Sequence, residues 1–135
     1  MRPHFVAVSV LVVSGCSAVS CQLCGTWKSD EVATLEALRS CGWSTPERES
    51  KFGHGFFGRF VAEYEPKRSR GYFVEDGTAD ALWGPYEILD SGDDFIELSE
   101  KDSVGATVVR RLRIAGQCYQ TPMGDQGCYE TLCRQ

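Results

Sequence analysis

Cysteines are the residues of this sequence whose number and spacing carry the most chemical information. The chain has seven cysteines among 135 residues, and Cys16, Cys21 and Cys24 follow one another closely. Disulfides use cysteines in twos, so an odd number in an exported protein predicts one cysteine with a separate role. A Cys-x-x-Cys pair can also serve redox or zinc chemistry. Here it precedes a predicted strand and no second such pair follows, so we interpret it as part of a disulfide framework.

Residues 1–15 have the layout of a secretory signal peptide. Arg2 and His4 form a short polar start, and the following residues are almost entirely apolar. About nine apolar residues are too few to span a bilayer. The segment ends in Val13-Ser14-Gly15-Cys16, which resembles the lipobox of bacterial lipoproteins, where the chain is cut before the cysteine and the cysteine is acylated. The alternative is ordinary signal cleavage after Ser20. We predict a signal peptide over 1–15, a lipidated tether over 16–24 and one domain over 25–135.

Either cleavage leaves an even set of six cysteines. In an oxidising compartment six cysteines predict up to three disulfides, with fifteen possible connectivities. The six are Cys21, Cys24, Cys41, Cys118, Cys128 and Cys133.

Residues typical of catalysis are few and poorly arranged. His54 is the only histidine beyond the predicted signal peptide, and no G-x-S-x-G motif provides a nucleophile for it. Gly53-x-Gly55-x-x-Gly58 matches the letters of a dinucleotide-binding motif, but it follows a predicted helix and enters a predicted strand, which inverts the required context. We expect no enzyme, no cofactor and no metal site.

The period of the apolar residues predicts two helices followed by strands. Spacing of three, an N-cap at Ser29 or Asp30 and a stop at Gly42 predict a helix over Glu31–Ser40, and a second helix is expected to begin at Pro46. From residue 56 the period becomes two, which is typical of strands. The predicted strands cover 25–27, 56–65, 71–75, 79–89 with a break near Gly84, 95–99, 107–115, 117–121 and 127–134. Short strands with hairpin-length connections indicate an antiparallel barrel or sandwich.

One arginine is predicted to point into this fold. In the strand over 107–115, alternation places Arg110 on the same face as Leu112 and Ile114. A buried arginine must be paired or must meet an anionic ligand, because an unpaired buried charge is costly. The alternative is that Arg110 lies near the barrel mouth and reaches water.

Gly25-x-Trp27, with many antiparallel strands and the late basic residue Arg134, resembles the lipocalin-like (calycin) barrels. The lipoprotein signal and compact layout are similar to those of small bacterial lipocalin-like envelope lipoproteins. The resemblance implies a small antiparallel β-barrel with a short helical segment after the first strand. It also implies that Trp27 closes one barrel end and that Arg134 packs across the indole, a role that Arg111 or Arg113 can also fill.

The expected barrel suggests how the cysteines pair. If the last strand pairs with the first, Cys133 lies near Cys21 or Cys24. Cys118 and Cys128 flank a predicted hairpin, so we expect them to be bonded to each other. Cys41 then takes the remaining N-terminal cysteine.

These observations predict a non-enzymatic, lipid-anchored envelope protein, attached through an acylated Cys16 and located at the outer membrane facing the periplasm or the exterior, or otherwise secreted. A net charge of −5 argues against a nucleic-acid partner. The leading hypothesis is that the barrel binds a small apolar or amphipathic molecule, although a narrow barrel can also be filled by its own aromatic side chains. The alternative is an inhibitor of a secreted hydrolase, such as lysozyme, that inserts the acidic loop at 90–94 into a basic cleft. The expected ligand-binding residues are Phe60, Tyr64, Tyr72, Trp83, Tyr86 and Arg110, with Phe56 beside them.

Overall fold

A computed structural model describes residues 21–52, 55–102, 104–123 and 127–135. Within these residues eight antiparallel strands form a closed barrel in sequence order, accompanied by two short helices. The expected fold class, including the helical segment after the first strand, is therefore confirmed. The predicted signal peptide, Cys16 and His54 lie outside the described residues. The strands are β1 (Gly25–Ser29), β2 (Phe60–Tyr64), β3 (Arg68–Phe73), β4 (Gly84–Ser91), β5 (Phe95–Lys101), β6 (Thr107–Ala115), β7 (Cys118–Met123) and β8 (Cys128–Arg134), and the helices are α1 (Glu31–Ser40) and α2 (Pro46–Phe52).

The last strand closes the barrel by pairing with the first. Trp27 of β1 lies opposite Arg134 of β8, so the terminal strands have no free edge on this side. The shortest pairing is between β3 and β4, where only Arg68–Pro85 and Ser69–Gly84 are in register. Pro85 has no N–H to donate to a neighbouring strand, which limits the ladder at this point.

Helix α1 has the bounds that the sequence predicted, because its end signals are local. The Asp30 carboxylate accepts a hydrogen bond from the Ala33 N–H at 2.9 Å and so caps the first turn. The helix packs against β8 through Leu38 and Thr34, which are both buried. The Thr131 N–H of β8 donates to the Thr34 hydroxyl at 3.1 Å. The helix therefore covers part of the outer surface of the barrel.

Two strands begin four or five residues later than the sequence predicted. Strand β2 begins at Phe60 rather than at residue 56. Gly58 has a φ of +87°, and its N–H donates to the Ser29 hydroxyl, so the chain bends before the strand. Strand β4 begins at Gly84 rather than at residue 79. The alternation of side chains therefore did not locate the first residues of β2 and β4.

All six predicted disulfide cysteines are bonded, but the predicted pairing was wrong. The bonds join Cys21 to Cys24, Cys41 to Cys128, and Cys118 to Cys133. In an antiparallel hairpin, residues equally far from the turn face each other, and Cys118 faces Cys133 rather than Cys128. Cys128 faces Met123 in the sheet and instead bonds to Cys41 just beyond helix α1.

The hydrophobic core occupies the end of the barrel where β1 begins. Trp27, Leu112 and Leu132 are at most 2% exposed, and Leu23 covers them from the segment before β1. Burial of several large apolar side chains at this level closes the barrel there. We call this the closed end, and the opposite end the mouth.

Candidate ligand-binding cavity

A cavity of about 720 Å³ enters the barrel from the mouth. It is lined by residues at the beginning of β2 and at the ends of β3, β5 and β7, such as Phe60, Phe73, Lys101 and Met123. Sites for small molecules in proteins have volumes of about 300–1,000 Å³, so this cavity has a suitable size. The barrel is therefore not filled completely by its own side chains.

Aromatic and aliphatic side chains form much of the outer part of the cavity. The rings of Phe60 and Phe73 meet edge to face, with centroids 5.7 Å apart. Both rings line the cavity together with Leu82, whose side chain projects into solvent. Leu82 is 87% exposed and Phe73 is 49% exposed. An apolar molecule that covers such exposed side chains at a cavity entrance lowers the free energy, because it removes apolar surface from water.

Arg110 forms a polar group inside the barrel with Glu100 and Thr121. Its side chain points inward, as the alternation in β6 predicted, and it forms an ion pair with Glu100. Its Nη1 donates to the Thr121 hydroxyl at 3.1 Å. Its Nε is buried and has no hydrogen-bond partner among the residues that the structure describes. Arg110 is thus largely neutralised by the protein and retains one N–H for an acceptor.

Tyr64 and Tyr119 lie below this polar group. Both are buried and line the floor of the cavity, and their ring centroids are 6.5 Å apart. Burial raises the pKa of Tyr64 and of Tyr119 above the ordinary tyrosine value, because a phenolate loses hydration there. Both hydroxyls therefore stay protonated at neutral pH. The ring of Tyr119 packs on Trp27, with centroids 4.8 Å apart, and so connects the cavity floor to the core.

Trp27 and Arg134 cover the closed end. The Arg134 guanidinium lies 4.3 Å from the indole centroid and donates to the carbonyls of Gln22 and Cys24. The Trp27 indole N–H donates to the Leu23 carbonyl at 2.8 Å. The tight loop closed by the Cys21–Cys24 disulfide therefore presents three carbonyls to these two side chains. The Cys-x-x-Cys spacing therefore has a structural role, because it holds these carbonyls in place.

Arg111 and Arg113, the alternatives for that role, point away from the interior. Arg111 lies over Phe95 at 3.9 Å, and Arg113 lies over Tyr129 at 4.1 Å. Both arginines are exposed. Alternation in β6 thus separates them from Arg110.

The predicted ligand-binding residues are divided between the cavity and other parts of the barrel. Phe60, Tyr64 and Arg110 line the cavity, as does the partly exposed Phe56. Tyr86 belongs to the core instead, and its hydroxyl donates to the Glu65 carbonyl at 2.7 Å.

Tyr72 and Trp83 lie outside the cavity, so their prediction as lining residues was wrong. Tyr72 faces Val61 in the sheet, on the face opposite to Ala62, and its hydroxyl donates to Glu63 at 2.7 Å. The inward residue is its neighbour Phe73, because a shift of one residue in a strand moves every side chain to the other face. Trp83 packs between arginines, with Arg68 at 4.6 Å and Arg70 at 4.5 Å from its centroid.

The acidic loop between β4 and β5 is at the far end from the mouth. Asp90 near the end of β4, and Asp93 and Asp94 in the loop, are all exposed. The Asp90 carboxylate accepts a hydrogen bond from the Ser91 N–H at 2.8 Å. The loop therefore forms a solvated acidic tip, separate from the cavity.

Comparison with known proteins finds no match to a family model, to a curated protein or to a solved structure. The lipocalin-like resemblance therefore stays a prediction. The described residues contain no group of three or more histidine, cysteine or acidic side chains that could hold a metal ion. Neither helix in the described part of the chain is long and apolar enough to cross a bilayer.

Proposed function

We propose that this protein is an exported binding protein that holds a small amphipathic molecule in its barrel. The observation that carries the proposal is the cavity of about 720 Å³, which has aromatic rings near the mouth and a polar group around Arg110. Three disulfides indicate an oxidising, extracytoplasmic location. Arg110, Glu100 and Thr121 are engaged with one another rather than arranged as nucleophile and base, which favours binding over catalysis.

Filling the cavity with protein atoms tests this proposal. Ala62 is buried and lines the cavity, whereas Ala79 is exposed on the connection after β3. The change Ala62→Leu should reduce binding of an alkyl ligand at least tenfold, because the added side chain occupies its volume, and Ala79→Leu should have no effect. Native mass spectrometry and displacement of a fluorescent hydrophobic probe measure the two variants. Equal binding by both variants, or no binding by the parent protein, would refute the proposal.

We also propose that the protein is anchored to the outer membrane through an acylated Cys16. The lipobox-like end of the predicted signal supports this, and Cys21, five residues later, lies at the closed end of the barrel. Five residues span at most about 18 Å, so such an anchor keeps the closed end near the membrane and turns the mouth away from it. Replacement of Cys16 by Ser should move the protein from the membrane fraction to the soluble envelope fraction. Retention in the membrane fraction would exclude this anchor.

A second candidate function, inhibition of a secreted hydrolase, is supported by the acidic loop between β4 and β5. Its exposed carboxylates suit insertion into a basic cleft. Inhibition of a purified lysozyme should then be lost when Asp93 and Asp94 are replaced by serine and kept in the Ala62→Leu variant. The opposite pattern would assign the activity to the mouth.

A further inference from the structure

Three charged side chains point into the barrel from strand positions. They are Glu100, Arg110 and Glu130, and all three line the cavity. Glu130 faces Thr121 across the β7–β8 ladder, and Thr121 accepts a hydrogen bond from Arg110. The three charges are therefore grouped inside the barrel, as two carboxylates and one guanidinium.

The arginines that line the cavity already have carboxylate partners. Such a paired guanidinium has little net charge to offer an anionic ligand, which would have to compete with the protein's own carboxylate. The pairs are Arg110 with Glu100, Arg59 with Glu75, and Arg70 with Glu63.

Glu130 is in the opposite situation. In the part of the chain that the structure describes, it takes part in neither an ion pair nor a hydrogen bond, although it lies close enough to act electrostatically on Tyr119. It is half-buried. The other cationic side chain that lines the cavity, Lys101, is exposed at the rim and donates a hydrogen bond to the Thr107 hydroxyl. The interior charge left for a ligand is therefore negative.

Aromatic rings surround the same space. Phe60, Phe73, Tyr64 and Tyr119 all contribute to the cavity wall. The faces of aromatic rings attract cations, and a group of such rings with a carboxylate is a suitable environment for an ammonium group, including a quaternary one. A carboxylate head group would gain nothing from these rings and would be repelled by Glu130.

We propose that the cavity selects amphiphiles with an ammonium head group over those with a carboxylate head group. The head group lies beside Glu130, and the alkyl chain follows the apolar wall toward Phe73 and the mouth. This inference rests on the proposed binding function and specifies its ligand class.

Isothermal titration of the purified, fully oxidised protein with three probes of equal chain length tests the inference. The probes are decyltrimethylammonium, decanoate and the neutral decyl maltoside, each used below its micelle concentration. We expect the ammonium probe to bind about tenfold more tightly than decanoate, which is the contribution of one charged contact. The change Glu130→Gln should remove that preference while leaving binding of the neutral probe unchanged. Glu36→Gln, on the exposed face of helix α1, is the matched control and should change nothing.

The outcomes separate this inference from the proposed function. If none of the three probes binds, the barrel is not a binding site for amphiphiles and both proposals are wrong. If the neutral probe binds but decanoate binds as well as or better than the ammonium probe, only the head-group inference is overturned. Loss of decanoate binding in Arg110→Met would then identify Arg110 as the head-group site. An ammonium preference that persists in Glu130→Gln would also contradict the role given to Glu130.

Discussion

Removing one disulfide at a time should destabilise the barrel in order of the loop that each disulfide closes. A disulfide acts mainly by restricting the unfolded chain, so its effect grows with the logarithm of the loop length. The loops differ widely here, with sequence separations of 87 for Cys41–Cys128, 15 for Cys118–Cys133 and 3 for Cys21–Cys24. The three pairs therefore form an internal series within one fold.

The loop-entropy relation gives the expected losses at room temperature. They are about 4.6 kcal/mol for the longest loop, about 3.0 kcal/mol for the intermediate loop and about 1.6 kcal/mol for the shortest. Both cysteines of a pair should be changed to alanine, because Cys128 is buried and a serine hydroxyl there would lose its hydrogen bonds to water. Each variant keeps the other two disulfides.

Urea denaturation of the parent and the three double variants measures these losses as differences in the free energy of unfolding extrapolated to water, because removing a cross-link also loosens the unfolded chain and changes the slope. The reasoning fails if the Cys21/Cys24 variant loses as much stability as the Cys41/Cys128 variant. That result would mean that the tight loop acts in the folded state, by holding the carbonyls that bind Arg134. A double-mutant cycle with Arg134→Met distinguishes an effect on the unfolded chain from contacts in the folded state. Only contacts in the folded state predict strong coupling between the loop and the arginine.

Three further changes have expected outcomes. Arg134→Met should cost about 2 kcal/mol in urea denaturation, because it removes the stacking on the indole and two hydrogen bonds to carbonyls. Stability should fall above about pH 10, where unfolded tyrosines ionise, because burial raises the pKa of Tyr64 and Tyr119 in the folded state. The unfolded state then binds fewer protons, with a slope of at most about 1.4 kcal/mol per pH unit for each tyrosine, and Tyr119→Phe should flatten this slope. Gly71→Ala should leave stability nearly unchanged but weaken ligand binding several-fold, because its Cβ would lie 2.5 Å from the tip of the Phe60 ring and would displace that ring.

Each of these expectations has a contrary result. An Arg134→Met variant as stable as the parent would show that the stacked arginine contributes nothing measurable. A free energy of unfolding that does not change between pH 9 and 11 (about one unit on each side of the ordinary tyrosine pKa) would contradict the raised pKa of the two buried tyrosines. Undiminished binding by Gly71→Ala would place the ligand away from Phe60.

Features fixed by neighbours in the sequence could be predicted from it. Helix α1 is an example, because the Asp30 cap and the stop near Gly42 lie within a few residues of the helix ends. The inward direction of Arg110 follows in the same way from alternation within one strand. Its partners Glu100 and Thr121 do not, because they depend on the register between β6 and its two neighbours.

Register also explains the errors. Cys118 pairs with Cys133 because the turn between β7 and β8 sets which residues face each other, and the sequence does not show where that turn is centred. The prediction that Tyr72 rather than Phe73 lines the cavity was wrong for the same reason. A difference of one residue along a strand moves the side chain to the opposite face of the sheet. The signal that could have corrected this is Gly71, which faces Ala62 and leaves room inside for Phe60.

The distribution of stabilising contacts explains how so short a barrel can keep an open interior. Well-packed apolar side chains and the Trp27–Arg134 stack are concentrated at the closed end, whereas the mouth leaves apolar rings such as Phe73 partly in water. A cavity forfeits contacts that would otherwise stabilise the fold. Disulfides offset this loss without filling the interior, because they raise the free energy of the unfolded chain rather than adding side chains to the core. The cysteine framework and the cavity are therefore linked, because the six bonded cysteines allow the mouth half of the barrel to remain open.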